Sequence, residues 1–242
     1  MVLEHVAYED RGTALNGWLA RPQGRAKAAV LVWPTIANVT LAIERRAMML
    51  ADAGYLALIG DFYGEQPASF EASFPLASTL RADVDHFRAR LKAGLAALTG
   101  LADGVPLATV GYCMGGQAAL ELVREGAPLA AAVSFHGVFT TDGKASTDKP
   151  FTGRVLVCHG DADPMAPREH VLALWEELDA AGVRWHFHAY SGVKHGFTDP
   201  GSDARGLPAI GYDAAADRAS WAAMMDLFAE MFDQGLALET KP

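Results

Sequence analysis

Two rhythms of apolar residues alternate along this chain. Short, nearly unbroken apolar runs at 28–33 (Ala-Ala-Val-Leu-Val-Trp), 55–59, 107–110, 130–135 and 154–160 predict strands buried on both faces. Between them apolar residues recur at three- and four-residue steps. Ile43, Ala47, Leu50 and Ala51 make one stripe between a capping Thr40 and Gly54. Val84, Phe87, Leu91, Leu95 and Leu98 make another across 80–98, and 117–125 is a run of helix formers stopped by Gly126. Pro167 opens a helix whose inner face is Val171, Leu174, Trp175 and Leu178, and 213–232 predicts a closing helix with Trp221, Met225, Phe228 and Phe232 inward.

The remaining segments fit around this frame. Residues 5–8 and 14–20 predict an antiparallel hairpin about Asp10-Arg11-Gly12, and 184–190 alternates as a strand does. Residues 65–77, rich in Pro, Ser and Phe, read as irregular, and 138–153 reads as an excursion of polar turn residues. Strand and helix in repeated succession predict an α/β fold, a mostly parallel central sheet with helices on both faces. In that architecture ligands bind beyond the carboxyl ends of the strands.

Composition narrows the classes. The 242 residues are 51% hydrophobic, enough for one large core, and with no linker or repeat the expectation is a single domain over 1–242. A formal net charge of -9 speaks against nucleic-acid binding, which wants a basic face. Two cysteines, Cys113 and Cys158, make no disulfide framework, and no four-ligand metal spacing occurs. Residues 1–5 carry no basic, apolar leader pattern and no run reaches membrane-spanning length, so the expected location is cytoplasmic, without membrane attachment.

The chemistry centres on Gly111-Tyr112-Cys113-Met114-Gly115-Gly116. A strand precedes it and a helix follows, so Cys113 sits on a turn tight enough to need small residues two positions to either side, as Gly111 and Gly115 are. The turn lifts the sulfur to the first free N–H groups of the helix, where a thiolate is favoured. Two further rim loops follow, Gly160-Asp161-Ala162-Asp163-Pro164-Met165-Ala166-Pro167 and Lys194-His195-Gly196-Phe197. Nucleophile, acid, base is the chain order of an α/β-hydrolase triad, with Asp163 and Asp161 both open as the acid. His136, ending a strand on the same rim, is a candidate substrate contact, and Trp33, Phe62, Tyr63 and Phe197 are candidates to line an apolar acyl pocket. Cys158, inside a buried run, reads as inert.

The chain resembles the dienelactone hydrolase family, the cysteine branch of the α/β-hydrolases. The resemblance is carried by the Cys113 hexapeptide, by Asp163 and Pro167 on the family's D-x-x-x-P, by His195-Gly196-Phe197, and by the segment from Ala51-Asp52-Ala53-Gly54-Tyr55 to Asp61-Phe62-Tyr63-Gly64. It implies Cys113 as nucleophile, His195 as general base and then acid, and Asp163 as the group orienting the imidazole. The oxyanion N–H groups are then those of Met114, which follows the nucleophile, and Ile36, on the loop after the third strand. The family's resting thiol is held by a glutamate, and the matching position here is Thr35, which cannot take a proton as a carboxylate does. The family also binds a substrate carboxylate through arginines, which makes Arg81 a candidate. The implied activity is hydrolysis of small esters or lactones through an acyl-enzyme, with no cofactor and no metal. The alternatives are a hydrolase of other acyl bonds such as thioesters, or a non-catalytic relative that binds a small ligand or partner.

Overall fold

The computed structural model describes residues 2–233. The chain opens with the hairpin β1 (Glu4–Asp10) and β2 (Thr13–Ala20), then β3 (Ala29–Trp33), α1 (Leu41–Asp52) and β4 (Leu56–Ile59). Helices α2 (Ser73–Arg81) and α3 (Val84–Leu101) lead to β5 (Leu107–Tyr112), α4 (Met114–Arg124) and β6 (Ala131–Phe135). The last part is β7 (Arg154–Gly160), α5 (Arg168–Ala180), β8 (Arg184–Tyr190) and α6 (Ala214–Phe232).

The strands form one sheet in the order β1-β2-β4-β3-β5-β6-β7-β8. Pairs from β4 through β8 are parallel, and only the opening hairpin and the β2–β4 contact run antiparallel. This is the α/β-hydrolase fold that the alternation of strands and helices predicts. All five residues of β3 are buried, and their side chains part by the two-residue period of a strand. Leu31 and Trp33 join the core beneath α3, α4 and α5, while Val30 and Val32 join the core beneath α1 and α6. Both faces are therefore covered, which is why the strands read as apolar runs rather than as alternation. The edge strand β8 keeps its alternation, with Arg184, His186 and His188 outward.

Three expectations are revised. The stretch 65–77 is not wholly irregular, because α2 begins at Ser73. Its Pro75 lies in the first turn, where a helix has no use for the missing N–H, so the proline does not interrupt it. The following helix is shifted to Val84–Leu101, with Asp83 as the cap that accepts from the His86 N–H. In α6 the deepest side chains include Met224 and Leu227 beside Phe228 and Phe232, whereas Trp221 and Met225 are only half-buried.

Two buried ionic clusters brace the rim. Arg124 pairs with Glu121 and Glu177 at 2.8 Å each and donates to the Phe139 carbonyl, while Glu177 accepts the Ala145 N–H. That cluster fastens the excursion after β6 to α4 and α5. Across the sheet, Arg46 of α1 pairs with Asp217 of α6 and donates to the Thr198 carbonyl at 2.8 Å. Among the described residues no helix is long and apolar enough to cross a membrane.

Candidate active site

The turn between β5 and α4 is as tight as the glycine spacing demands. Cys113 has φ 60° and ψ −118°, a conformation a non-glycine residue holds at a cost of about 1–3 kcal/mol. A Cβ on Gly111 would lie 1.8 Å from the Gly115 carbonyl oxygen, and one on Gly115 would lie 2.2 Å from the Trp33 carbonyl oxygen. No alanine fits at either place. The backbone N–H of Cys113 is shared between the Phe135 carbonyl, at 3.0 Å, and His136 Nδ1, at 3.1 Å.

The other two rim loops meet this turn. His195 is buried and its Nδ1 lies 2.7 Å from Asp163 Oδ2. Asp163 is buried as well, and its second oxygen accepts the Met165 N–H at 2.8 Å. Asp161 is turned outward and forms a bidentate pair with the exposed Arg168. The backbone of His195 is pinned by the Ala209 carbonyl and the Gly211 N–H. The Cys113 sulfur is its charged neighbour on the side away from Asp163, and Nε2 has no hydrogen-bond partner among the described residues. An unengaged nitrogen is ordinary before substrate arrives.

The electrostatics favour a charged pair. Burial pushes the Cys113 thiol up, but the adjacent His195 imidazole and the N–H groups of Met114 and Ile36, which point at the sulfur, outweigh it and bring the thiol below its ordinary range. Burial pushes His195 down, yet the Cys113 sulfur and the Asp163 carboxylate raise it well above the usual imidazole range. Thiolate beside imidazolium is the state these neighbours stabilise. Cys158 stands in contrast: burial pushes its thiol up to about 12, and the Tyr190 hydroxyl offsets only part of that.

A cavity of about 270 Å³ opens above the sulfur. Its walls are mainly apolar, with Ile36, Phe70, Phe74, Val138, Met165 and Leu207 around Cys113 and His195. Thr35 and Arg81 also line it. The Thr35 hydroxyl accepts the Ala37 N–H at 3.2 Å, so it serves its own loop. Of the three arginines in the walls, Arg46 is paired with Asp217 and Arg205 with Asp199, whereas Arg81 has no carboxylate partner among the described residues and its Nε is buried without an acceptor.

Four candidate contacts stand elsewhere than expected. Trp33 is fully buried, stacked on Phe62 at 5.1 Å in space that Gly60 and Gly94 leave for its indole, and it does not reach the cavity; Phe62 is fully buried with it. Phe197 is buried between His136 and Tyr190. Tyr63 hangs its hydroxyl on the Ile36 carbonyl at 3.0 Å, supporting the loop after β3 rather than lining the cavity. His136 does border the cavity, but it is 1% exposed and both ring nitrogens are committed, Nδ1 to the Cys113 N–H and Nε2 to Thr198 Oγ1 at 2.9 Å. Apart from Arg81, the walls from α2 were not legible in the sequence, and neither was the conformation of the loop over residues 199–210. Phe70 and Phe74, four apart across the start of α2, were the available signal.

The sequence profile of the dienelactone hydrolase family matches residues 15–232. A putative carboxymethylenebutenolidase of Salmonella typhimurium is 27% identical over 241 residues, covering 91% of this chain and 84% of that protein. A solved dienelactone hydrolase-like promiscuous phosphotriesterase from metagenomic libraries is 34% identical, with a TM-score of 0.87 over 96% of this chain and 98% of that one. A putative dienelactone hydrolase from Klebsiella pneumoniae shares the fold at 21% identity and TM-score 0.73, over 95% of this chain and 98% of its own.

Proposed function

The chain belongs to the dienelactone hydrolase family of hydrolytic enzymes, and from that premise we propose that it hydrolyses small ester or lactone bonds through Cys113, His195 and Asp163. The observation that carries the reading is the convergence on one sulfur of an imidazole backed by a buried carboxylate at 2.7 Å and of two backbone N–H groups. Each group then has one task. The Cys113 thiolate attacks the carbonyl carbon, forming an S–C bond and moving the carbonyl electron pair onto oxygen. The N–H groups of Met114 and Ile36 receive that oxyanion, fixed donors aimed at charge that develops only in the transition state. Collapse breaks the C–O bond, and the leaving alkoxide takes the proton from His195 Nε2. His195 then draws a proton from water as the water attacks the thioester, and collapse of this second adduct breaks the C–S bond. The acid product leaves, and the thiolate and imidazolium are restored.

Asp163 keeps the ring oriented and stabilises its charged form. With Thr35 in place of a carboxylate, the resting thiolate depends on His195 and the two N–H groups. The apolar cavity suits a compact acyl or aryl group, and Arg81 suits a substrate carboxylate. The metagenomic relative is named for phosphotriester hydrolysis, so an activated phosphotriester is the second substrate to offer. The reading takes the chain as one domain, and its two free thiols fit a reducing, cytoplasmic setting.

The test is turnover of a small activated aryl ester by the native protein and by Cys113→Ala and His195→Ala. Each variant is expected to lose at least about a hundredfold in rate, the scale of a nucleophile or general base. Rates equal to the native protein's would overturn the reading.

A further inference from the structure

We infer that His136 and Thr198 form a positioning bridge that sets the separation of nucleophile and base, an inference resting on the catalytic reading of Cys113 and His195. The bridge runs in a few bonds from one loop to the other. His136 Nδ1 accepts the backbone N–H of Cys113 at 3.1 Å, and His136 Nε2 lies 2.9 Å from the hydroxyl of Thr198, three residues beyond His195. A backbone N–H can only donate, so Nδ1 carries no proton and Nε2–H is the donor to Thr198 Oγ1. The ring is therefore neutral and held in one tautomer.

The surroundings give the bridge its stiffness. Cys113 and His136 follow the neighbouring strands β5 and β6, and both have positive φ, 60° and 40°, so two strained residues are tied to each other. The Thr198 end is anchored in turn, because its carbonyl accepts from Arg46, itself paired with Asp217. The His136 ring also stands edge to face against His195, with centroids 5.1 Å apart. Both residues are buried at the cavity wall, His136 1% and Thr198 5% exposed. Burial of His136, with His195 next in effect, holds it well below the ordinary imidazole range, in keeping with the neutral form. A chain of rigid contacts between the backbone of the attacking residue and the loop of its base fixes what proximity catalysis depends on, where a shift of about 1 Å can cost a hundredfold.

Thr198→Val keeps the shape and removes the acceptor. It is expected to lower kcat about tenfold with KM within about threefold, and to slow iodoacetamide alkylation of Cys113 at neutral pH while moving the alkylation midpoint upward. Thr198→Ser, which keeps the hydroxyl, restores both. His136→Asn, whose side-chain oxygen takes the place of Nδ1 and which tolerates positive φ, is expected to retain more activity than His136→Leu. Cys158 is fully buried, so the alkylation reports one thiol. If Thr198→Val and His136→Leu match the native kcat and alkylation profile while Cys113→Ala is inactive, the bridge is overturned and the catalytic reading stands. If Cys113→Ala is as active as the native protein, the catalytic reading falls, and the alkylation profiles, which need no substrate, still decide whether the bridge holds the thiol.

Discussion

Asp163 Oδ2 stands 2.7 Å from His195 Nδ1, with both side chains buried, while two residues earlier Asp161 faces solvent and Arg168. The loop thus turns one carboxylate inward to an imidazole and the other outward to a surface guanidinium, and on the proposed reading only the first serves catalysis. Asp163→Asn is expected to cost at least about a hundredfold in kcat, because an amide neither stabilises imidazolium nor holds the productive tautomer. Asp161→Asn removes an exposed ion pair and is expected to stay within about twofold. Steady-state kinetics of the two variants on one ester checks the division, and equal losses would assign the acid to neither residue.

The thiol and imidazole shifts have opposite signs, and together they define a pH profile. Cys113 is depressed and His195 raised, so the thiolate–imidazolium pair persists between the two titrations. Alkylation of Cys113 is expected to keep its rate at pH values below a free thiol's pKa, ~8.5, and to fall only under more acid conditions. In His195→Ala the limb moves toward the free-thiol value, since the cation is gone and the N–H groups alone remain. A native limb already at the free-thiol position would contradict the pairing.

What the sequence disclosed and what it withheld follow from different physics. Gly111, Gly115 and Cys113 were legible because a Cβ at either glycine strikes backbone within 2.2 Å, a constraint that residue type alone exposes. Strands β3 to β7 were legible because burial on both faces leaves them mostly apolar. Trp33 misled because a large aromatic at a strand end is equally suited to a pocket or a core; the indole goes to the core because Gly60 and Gly94, far away in sequence, leave it room. Helix α2 was hidden because its cap, Ala72, offers no side-chain acceptor and Pro75 resembles a breaker. Thr198 could not be found at all, since nothing in a threonine's local sequence says that an imidazole 62 positions earlier will reach it.

Arg81 is the one cavity arginine without a carboxylate partner among the described residues, so its removal should act on charge recognition and little else. Arg81→Met is expected to lower kcat/KM for a carboxylate-bearing lactone by about ten- to a hundredfold, the worth of a hydrogen bond to a charged group. A neutral ester of similar size should change by less than about threefold. Paired kinetics on the two substrates make the comparison. A uniform loss on both would mean that Arg81 supports α2 rather than substrate.

Arg124 tests the support beneath the site rather than the site itself. It is buried on α4 between Glu121 and Glu177 and also holds the Phe139 carbonyl, so one guanidinium satisfies two buried carboxylates and a loop. Burial opposes its charge, but Glu177 and Glu121 outweigh that and hold the guanidinium protonated. Arg124→Met leaves those carboxylates without this partner; Arg88 still serves Glu121, at 2.7 Å, but Glu177 is left with the Ala145 N–H. The expected loss is about 3–5 kcal/mol, the scale for breaking a buried pair from one side, read from the midpoint of urea denaturation. The double variant Arg124→Met with Glu177→Leu is expected to recover part of it, because the carboxylate left uncompensated has gone with its partner. Activity per folded molecule should fall less than in any triad variant, since Val138, on the braced segment, touches the cavity while Cys113, His195 and Asp163 stay fixed by their own loops.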